Sequence, residues 1–167
     1  MTATYRGERA EFHSRPDAIL QVLRLMWVSD ALFAQALYRL KARLQALRVP
    51  ILPRLAHRLA MCLAQVCIGD PVIVHPGVYL AHGQVVIDGL VEVHSGTVIF
   101  PWVTVGLIAG IYQGPIIESG VHIGTGAKVL GPIRIGTGAR VGANAVVVED
   151  VPDHATVVGV PARVLDS

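Results

Sequence analysis

The chain has 167 residues, 53% of them apolar and 16% charged, with a formal net charge of +2 and a mean hydropathy of +0.55. A charge so near balance, with no basic block interleaved with aromatics, gives no footprint for a nucleic-acid partner. Cys62 and Cys67 are the only cysteines, too few for a disulfide scaffold, and are read as reduced thiols. The first residues hold no apolar signal core, and no uninterrupted apolar run reaches the roughly 18 residues of a membrane span. No span is expected, and the cytoplasm is the expected address.

In chain order, Arg15-Pro16-Asp17 opens a helix expected over residues 15–47, with Pro16 in its first turn. Ile19, Leu23, Met26, Trp27, Phe33, Leu37 and Leu40 recur at helical spacing and are read as packing. Arg39, Lys41, Arg43 and Arg48 gather near its end, where cations suit the helix dipole, and are read as a solvated basic face. Val49-Pro50-Ile51-Leu52-Pro53 breaks the chain, and a second helix is expected from Arg54 to about Val66. Residues 1–66 thus form a helical N-terminal segment and residues 67–167 a repeat domain.

From Ile87 onward every sixth residue is isoleucine or valine: Ile87, Val93, Ile99, Val105, Ile111, Ile117, Ile123, Val129, Ile135, Val141 and Val147. The position four residues after each is mostly small or apolar, from Val91 and Thr97 to Ala145 and Val151. Neither a helix of period 3.6 nor an alternating strand explains a spacing of six. Short strands stacked in parallel coils do, with one aliphatic per strand turned inward and a glycine such as Gly106, Gly124, Gly136 or Gly142 at the corner. The surplus of apolar surface over what one coil buries points to coils packed side by side in an oligomer. An irregular stretch is expected around Leu107–Gly114.

Upstream the phase differs. Ile68, Val74 and Leu80 are six apart, but Leu80 to Ile87 is seven, so one extra residue enters at Ala81-His82-Gly83-Gln84-Val85. A slip of this kind bulges a strand and re-aims a side chain, and the side chain at the bulge is His82.

The hexapeptide period, the stretch Tyr79-Leu80-Ala81-His82-Gly83-Gln84-Val85-Val86-Ile87-Asp88-Gly89 and the tail Val157-Val158-Gly159-Val160-Pro161-Ala162-Arg163 resemble the left-handed β-helix acyltransferases, within them the serine O-acetyltransferase branch. The resemblance implies a mainly β fold, a left-handed parallel β-helix after a short helical segment. It also implies a homotrimer with sites in the clefts between coils, acetyl-CoA as donor and a hydroxyl acceptor, with no metal. His82 would be the general base, since an imidazole of pKa near 6.5 is poised to take the hydroxyl proton. Gly124, Thr125, Gly142 and Ala143 would line the pantetheine arm, and Arg163, with Arg140 or Lys128 as alternatives, would meet the phosphates.

Three departures bear on the acceptor. The branch carries an aspartate about fifteen residues before the histidine, where this chain has Cys67. It carries another directly before the histidine, here Ala81. Its Arg-His pair corresponds to Gln113-Gly114. A pocket without these charges would leave an ammonium and a carboxylate poorly paired, so a sugar or other neutral alcohol is the expected acceptor and serine the alternative. Asp70, Asp88 and Glu92 are the candidates to orient His82. His75, His94 and His122 fall on the coil, where a threefold axis could gather them around a metal, while His13, His57 and His154 are read as surface or capping residues. A catalytically inactive hexapeptide scaffold remains the competing class, and a metal-bearing coil of the carbonic-anhydrase-like type a third.

Overall fold

A computed structural model describes residues 15–165; His13 lies outside them. Three helices come first: α1 (Arg15–Val28), α2 (Asp30–Ala46) and α3 (Leu52–Ala64). The single helix expected over 15–47 is divided at Ser29, whose extended backbone (φ −112, ψ 106) and side chain cap α2 by accepting from the Leu32 amide at 3.3 Å. α1 packs on α2, and the α1 part of the stripe is largely exposed, with Ile19 and Leu23 facing solvent and Trp27 92% exposed, whereas Leu37 of α2 packs against the core. α3 begins earlier than expected, with Pro53 in its first turn, and ends at a left-handed Gln65.

The coil follows at once. One face stacks β1 (Val66–Ile68), β4 (Val85–Ile87), β7 (Thr104–Gly106), β10 (Lys128–Leu130) and β13 (Val146–Val147). The second stacks β2 (Ile73–Val74), β5 (Leu90–Val93), β8 (Gln113–Ile117) and β11 (Arg134–Ile135). The third stacks β3 (Tyr79–Leu80), β6 (Val98–Ile99), β9 (His122–Ile123), β12 (Arg140–Val141) and β14 (Thr156–Val158), closed by the antiparallel β15 (Arg163–Val164). All other pairings are parallel, the arrangement expected of a left-handed parallel β-helix.

Each six-residue unit turns two residues inward. Val93, Ile99, Val105, Ile117, Ile123, Val129 and Ile135 are buried, and so are Val91, Val103, Val121, Ala127, Ala139 and Ala145 four positions on. β-Branched and small residues fill this narrow axis because larger ones would force the walls apart. Thr97 takes one inward slot and stays satisfied by donating to the Glu118 carbonyl at 3.1 Å.

Pairing register locates every irregularity. Partners lie 18 residues apart where the coil is regular, as in Val86↔Thr104 and Lys128↔Val146. The distance is 19 for Val66↔Val85 and Leu80↔Ile99, which span the slip beside His82. It is 24 for Val93↔Ile117, which spans the loop after β7. That loop adds one whole period, so the sixfold pattern passes through it without changing phase. Ile111 therefore sits on the pattern yet is 41% exposed, outside the core.

The corners are not turned by the glycines expected to turn them. Left-handed backbone falls at Gly77, Gly96, Gly120 and Gly138 along one edge, and at Gln84, Trp102, Gly126 and Asn144 along another. Gly124 and Gly142 are required for a different reason. A Cβ on Gly124 would lie 2.7 Å from the Ala143 nitrogen, and one on Gly142 2.7 Å from Val158 Cγ1. The next coil occupies the space.

The open first coil is closed by α2. Lys41, expected on a solvated face, is 2% exposed and donates to the Ile68 carbonyl at 2.8 Å. Tyr38 Oη donates to the Val72 carbonyl at 2.7 Å and accepts from the Val74 amide at 3.3 Å. These bonds satisfy strand groups that have no preceding coil and blunt the edge against other chains.

Ile99→Ala and Ile123→Ala should each cost about 2–5 kcal/mol, whereas Ile111→Ala should cost under about 0.5 kcal/mol. Urea unfolding of the three variants checks this, and an equal loss at Ile111 would contradict the loop reading.

Candidate active site

His82 stands at the corner between β3 and β4. The Ala81 amide donates to the Ile99 carbonyl at 2.9 Å and the Trp102 amide to the Gln84 carbonyl at 2.8 Å. Ala81 and Gln84 therefore align with Phe100 and Trp102, and His82 and Gly83 together oppose Pro101. This is a bulge, two residues against one, and it pushes His82 out of the ladder. Gly83 is held against the end of α3, where any Cβ would strike the Ala64 carbonyl. His82 is exposed. Among the described residues, its side chain makes no hydrogen bond or ion pair.

The same edge carries the other expected residues. Thr125 Oγ1 donates to the Pro101 carbonyl at 2.8 Å, and the Asn144 amide donates to the Thr125 carbonyl at 2.8 Å. His82, Pro101, Thr125 and Ala143 thus form one column spanning about 14 Å at the usual inter-strand spacing. Thr125 and Ala143 are exposed along it. Arg163 lies beyond its far end, next to Ala162, whose amide donates to the Val146 carbonyl at 2.8 Å; its guanidinium reaches Glu149 at 3.3 Å. Gly124 and Gly142 flank the column, and the space that a Cβ would take on each is filled by the next coil.

A groove of about 340 Å³ opens beside this edge, lined by Gln65, Gln84, Val86, Trp102, Thr104 and Lys128. Lys128 Nζ donates to the Trp102 carbonyl at 2.7 Å and the Gly126 carbonyl at 3.0 Å, which fixes it across the groove. Trp102 and Gln84 were not identified from the sequence. Their signal is a left-handed corner occupied by an L-residue, which composition and spacing do not mark. Arg140 lies elsewhere, on the third face between His122 and Thr156.

Two of the three acids expected to orient His82 are engaged elsewhere. Asp70 pairs with Lys41 at 2.9 Å, a contact that holds its carboxyl below the usual range against the opposing effect of burial. Glu92 pairs with His75 at 2.8 Å. Asp88 lies over Gly69, in the space a Cβ there would take. Cys67, at the position of an acid in the resemblance, has its thiol pushed up by burial, then by Asp88, with Lys41 opposing. A neutral thiol supplies no charge to an imidazolium.

A family model described as bacterial transferase hexapeptide (six repeats) matches residues 114–148. The serine acetyltransferase of Mycobacterium tuberculosis is 35% identical over 168 residues, 99% of this chain and 73% of that protein. The chain belongs to the serine acetyltransferase family. The serine acetyltransferase of Synechococcus elongatus is 40% identical over 122 residues, 71% of this chain and 50% of that protein. A solved serine acetyltransferase in complex with CoA matches with a TM-score of 0.74 at 30% identity, over 81% of this chain and 57% of that one. The chain spans between about half and three-quarters of the length of these relatives.

The loop of residues 107–112 leads into β8, which opens on Gln113 and Gly114. Gly114 is buried, and a Cβ there would lie 2.6 Å from Val91 Cγ2, so a larger side chain does not fit without movement of β5. Gln113 is exposed and pairs with Leu90.

Because the Asp70 carboxyl is held low, the pair contributes stability that is present above the unfolded value of about 3.9 and lost as pH falls through the folded value. Asp70 is largely exposed, so Asp70→Asn should cost on the order of 1 kcal/mol near neutrality. The gap to wild type should close only below about pH 4. Urea midpoints at neutral and acid pH read it, and a gap that persists in acid would contradict the pairing.

Proposed function

We propose that the protein is an acetyl-CoA-dependent O-acetyltransferase that uses His82 as its general base. The observation that carries this reading is the shared edge: an exposed, unpartnered imidazole at one end and the Thr125–Ala143 column leading away from it. The family supports it, and a solved relative was captured with CoA. The acetyl donor would run along the edge and its neighbouring groove, with Arg163 near the phosphates.

In the reaction, the acceptor hydroxyl gives its proton to the His82 imidazole while its oxygen bonds to the acetyl carbonyl carbon. The tetrahedral intermediate collapses with cleavage of the carbon–sulfur bond, and the departing CoA thiolate takes the proton from the imidazolium. No covalent enzyme intermediate is needed. With no acid bonded to it among the described residues, His82 relies on its bulge and on α3 for orientation. A homotrimer, with each site closed by a neighbouring copy, is proposed from the outward apolar residues Ile73, Leu90 and Ile116 on the second face.

Serine is the acceptor that the relatives support, and it is the first reading; they lend nothing to the sugar or neutral alcohol expected from the sequence. The neutral alcohol stays as a second reading because Cys67, Ala81, Gln113 and Gly114 bring no charge to the site. One assay of CoA thiol release tests both. His82→Ala should lower the rate with the best acceptor by about 10²–10⁴-fold, and acetyl-CoA should still raise its melting temperature. Serine should exceed glycerol and simple sugars in kcat/KM; a neutral acceptor that outruns serine would install the second reading. Transfer within a few-fold of wild type in His82→Ala would remove the base assignment.

A further inference from the structure

We propose that His75, Glu92 and His94 form a binding site for a divalent transition-metal cation of the zinc class. The site follows from the coil register. Ile73 pairs with Glu92 and Val74 with Val93, so His75, just after β2, stands directly below His94, just after β5. The main chain holds both: the His75 amide donates to the Val93 carbonyl and the His94 amide to the Ile117 carbonyl, each at 2.9 Å. The two rings stack with centroids 4.6 Å apart and planes within 10°.

Both rings aim Nε2 at the same carboxylate oxygen. His75 Nε2 lies 2.8 Å and His94 Nε2 3.5 Å from Glu92 Oε1. The three ligand atoms all lie within 4.8 Å of one another. Donors held about 2.0–2.2 Å from a tetrahedral ion are about 3.3 Å apart. The two measured separations bracket that edge, so a cation needs only a small adjustment of the side chains. Two imidazole nitrogens and one carboxylate oxygen suit zinc or cobalt better than magnesium or calcium, which favour all-oxygen sets.

The surroundings agree with a bound ion rather than with a buried structural pair. The side chains are 39%, 36% and 30% exposed for His75, Glu92 and His94, so a cation can enter and keep a fourth position for water. Arg134, the basic side chain of β11 on the same face, is committed to Glu118 and Asp153. The site is separated from His82 by β3, since His75 precedes that strand and His82 follows it. Within one chain it therefore shares no residue with the proposed transfer site. A cation here would cross-link the first two coils, the part of the β-helix that α2 closes.

The test is titration of the chelator-treated full chain with cobalt and then zinc. Wild type should take up a single cobalt ion per chain, with the visible absorption of a tetrahedral site, and zinc should displace it and raise the melting temperature. His75→Ala and His94→Ala should each weaken binding by at least about tenfold, while His122→Ala should leave it unchanged. Glu92→Gln keeps the side-chain shape and should show the same loss, so the reading survives if an alanine variant folds poorly. Absence of saturable binding in wild type, or undiminished binding in the His75→Ala and Glu92→Gln variants, would overturn the site.

Discussion

Every feature of this molecule that bears on function is a consequence of one constraint: stacked coils must keep their inward residues in register. The axis holds only two small or β-branched residues per six, and a strand displaced by one residue would turn its aliphatics to solvent. Extra residues can therefore enter only where the walls meet. The chain uses both permitted solutions. A single residue enters at the His82 corner and is absorbed as a bulge. A whole period enters after β7 and leaves the phase intact.

The bulge needs support from outside the coil, and the helical segment supplies it. α3 ends against Gly83, while Lys41 and Tyr38 of α2 bond the exposed groups of the first coil. Helices that look like an appendage in sequence thus terminate the sheet edges and fix the corner from which His82 projects. The price of that arrangement is a buried lysine, balanced by the Ile68 carbonyl and Asp70.

The coil was legible because its period is written in the residues that fill the axis, and His82 because its slip breaks that period. Ile111 shows the limit: a loop of one full period leaves no phase mark, and only its exposure places it outside. The glycines misled in another way. Gly124 and Gly142 look like corners, but they are narrow points between coils, whereas L-residues such as Trp102 and Asn144 take the left-handed turns. The acids offered to His82 could not be sorted from sequence, because Asp70 is claimed by a helix lysine and Glu92 by two histidines from successive coils. Long-range partners of that kind are set by packing, not by local spacing.

In the proposed function, the extra residue beside His82 is what presents the imidazole for acetyl transfer. Deleting Gln84 tests it directly, since this returns the corner to an 18-residue coil while keeping His82 in the chain. Rates of CoA thiol release from the deletion variant should fall to the level of His82→Ala, with the β-sheet circular dichroism signal and a cooperative melt retained. A folded deletion variant that transfers acetyl groups at the wild-type rate would contradict it.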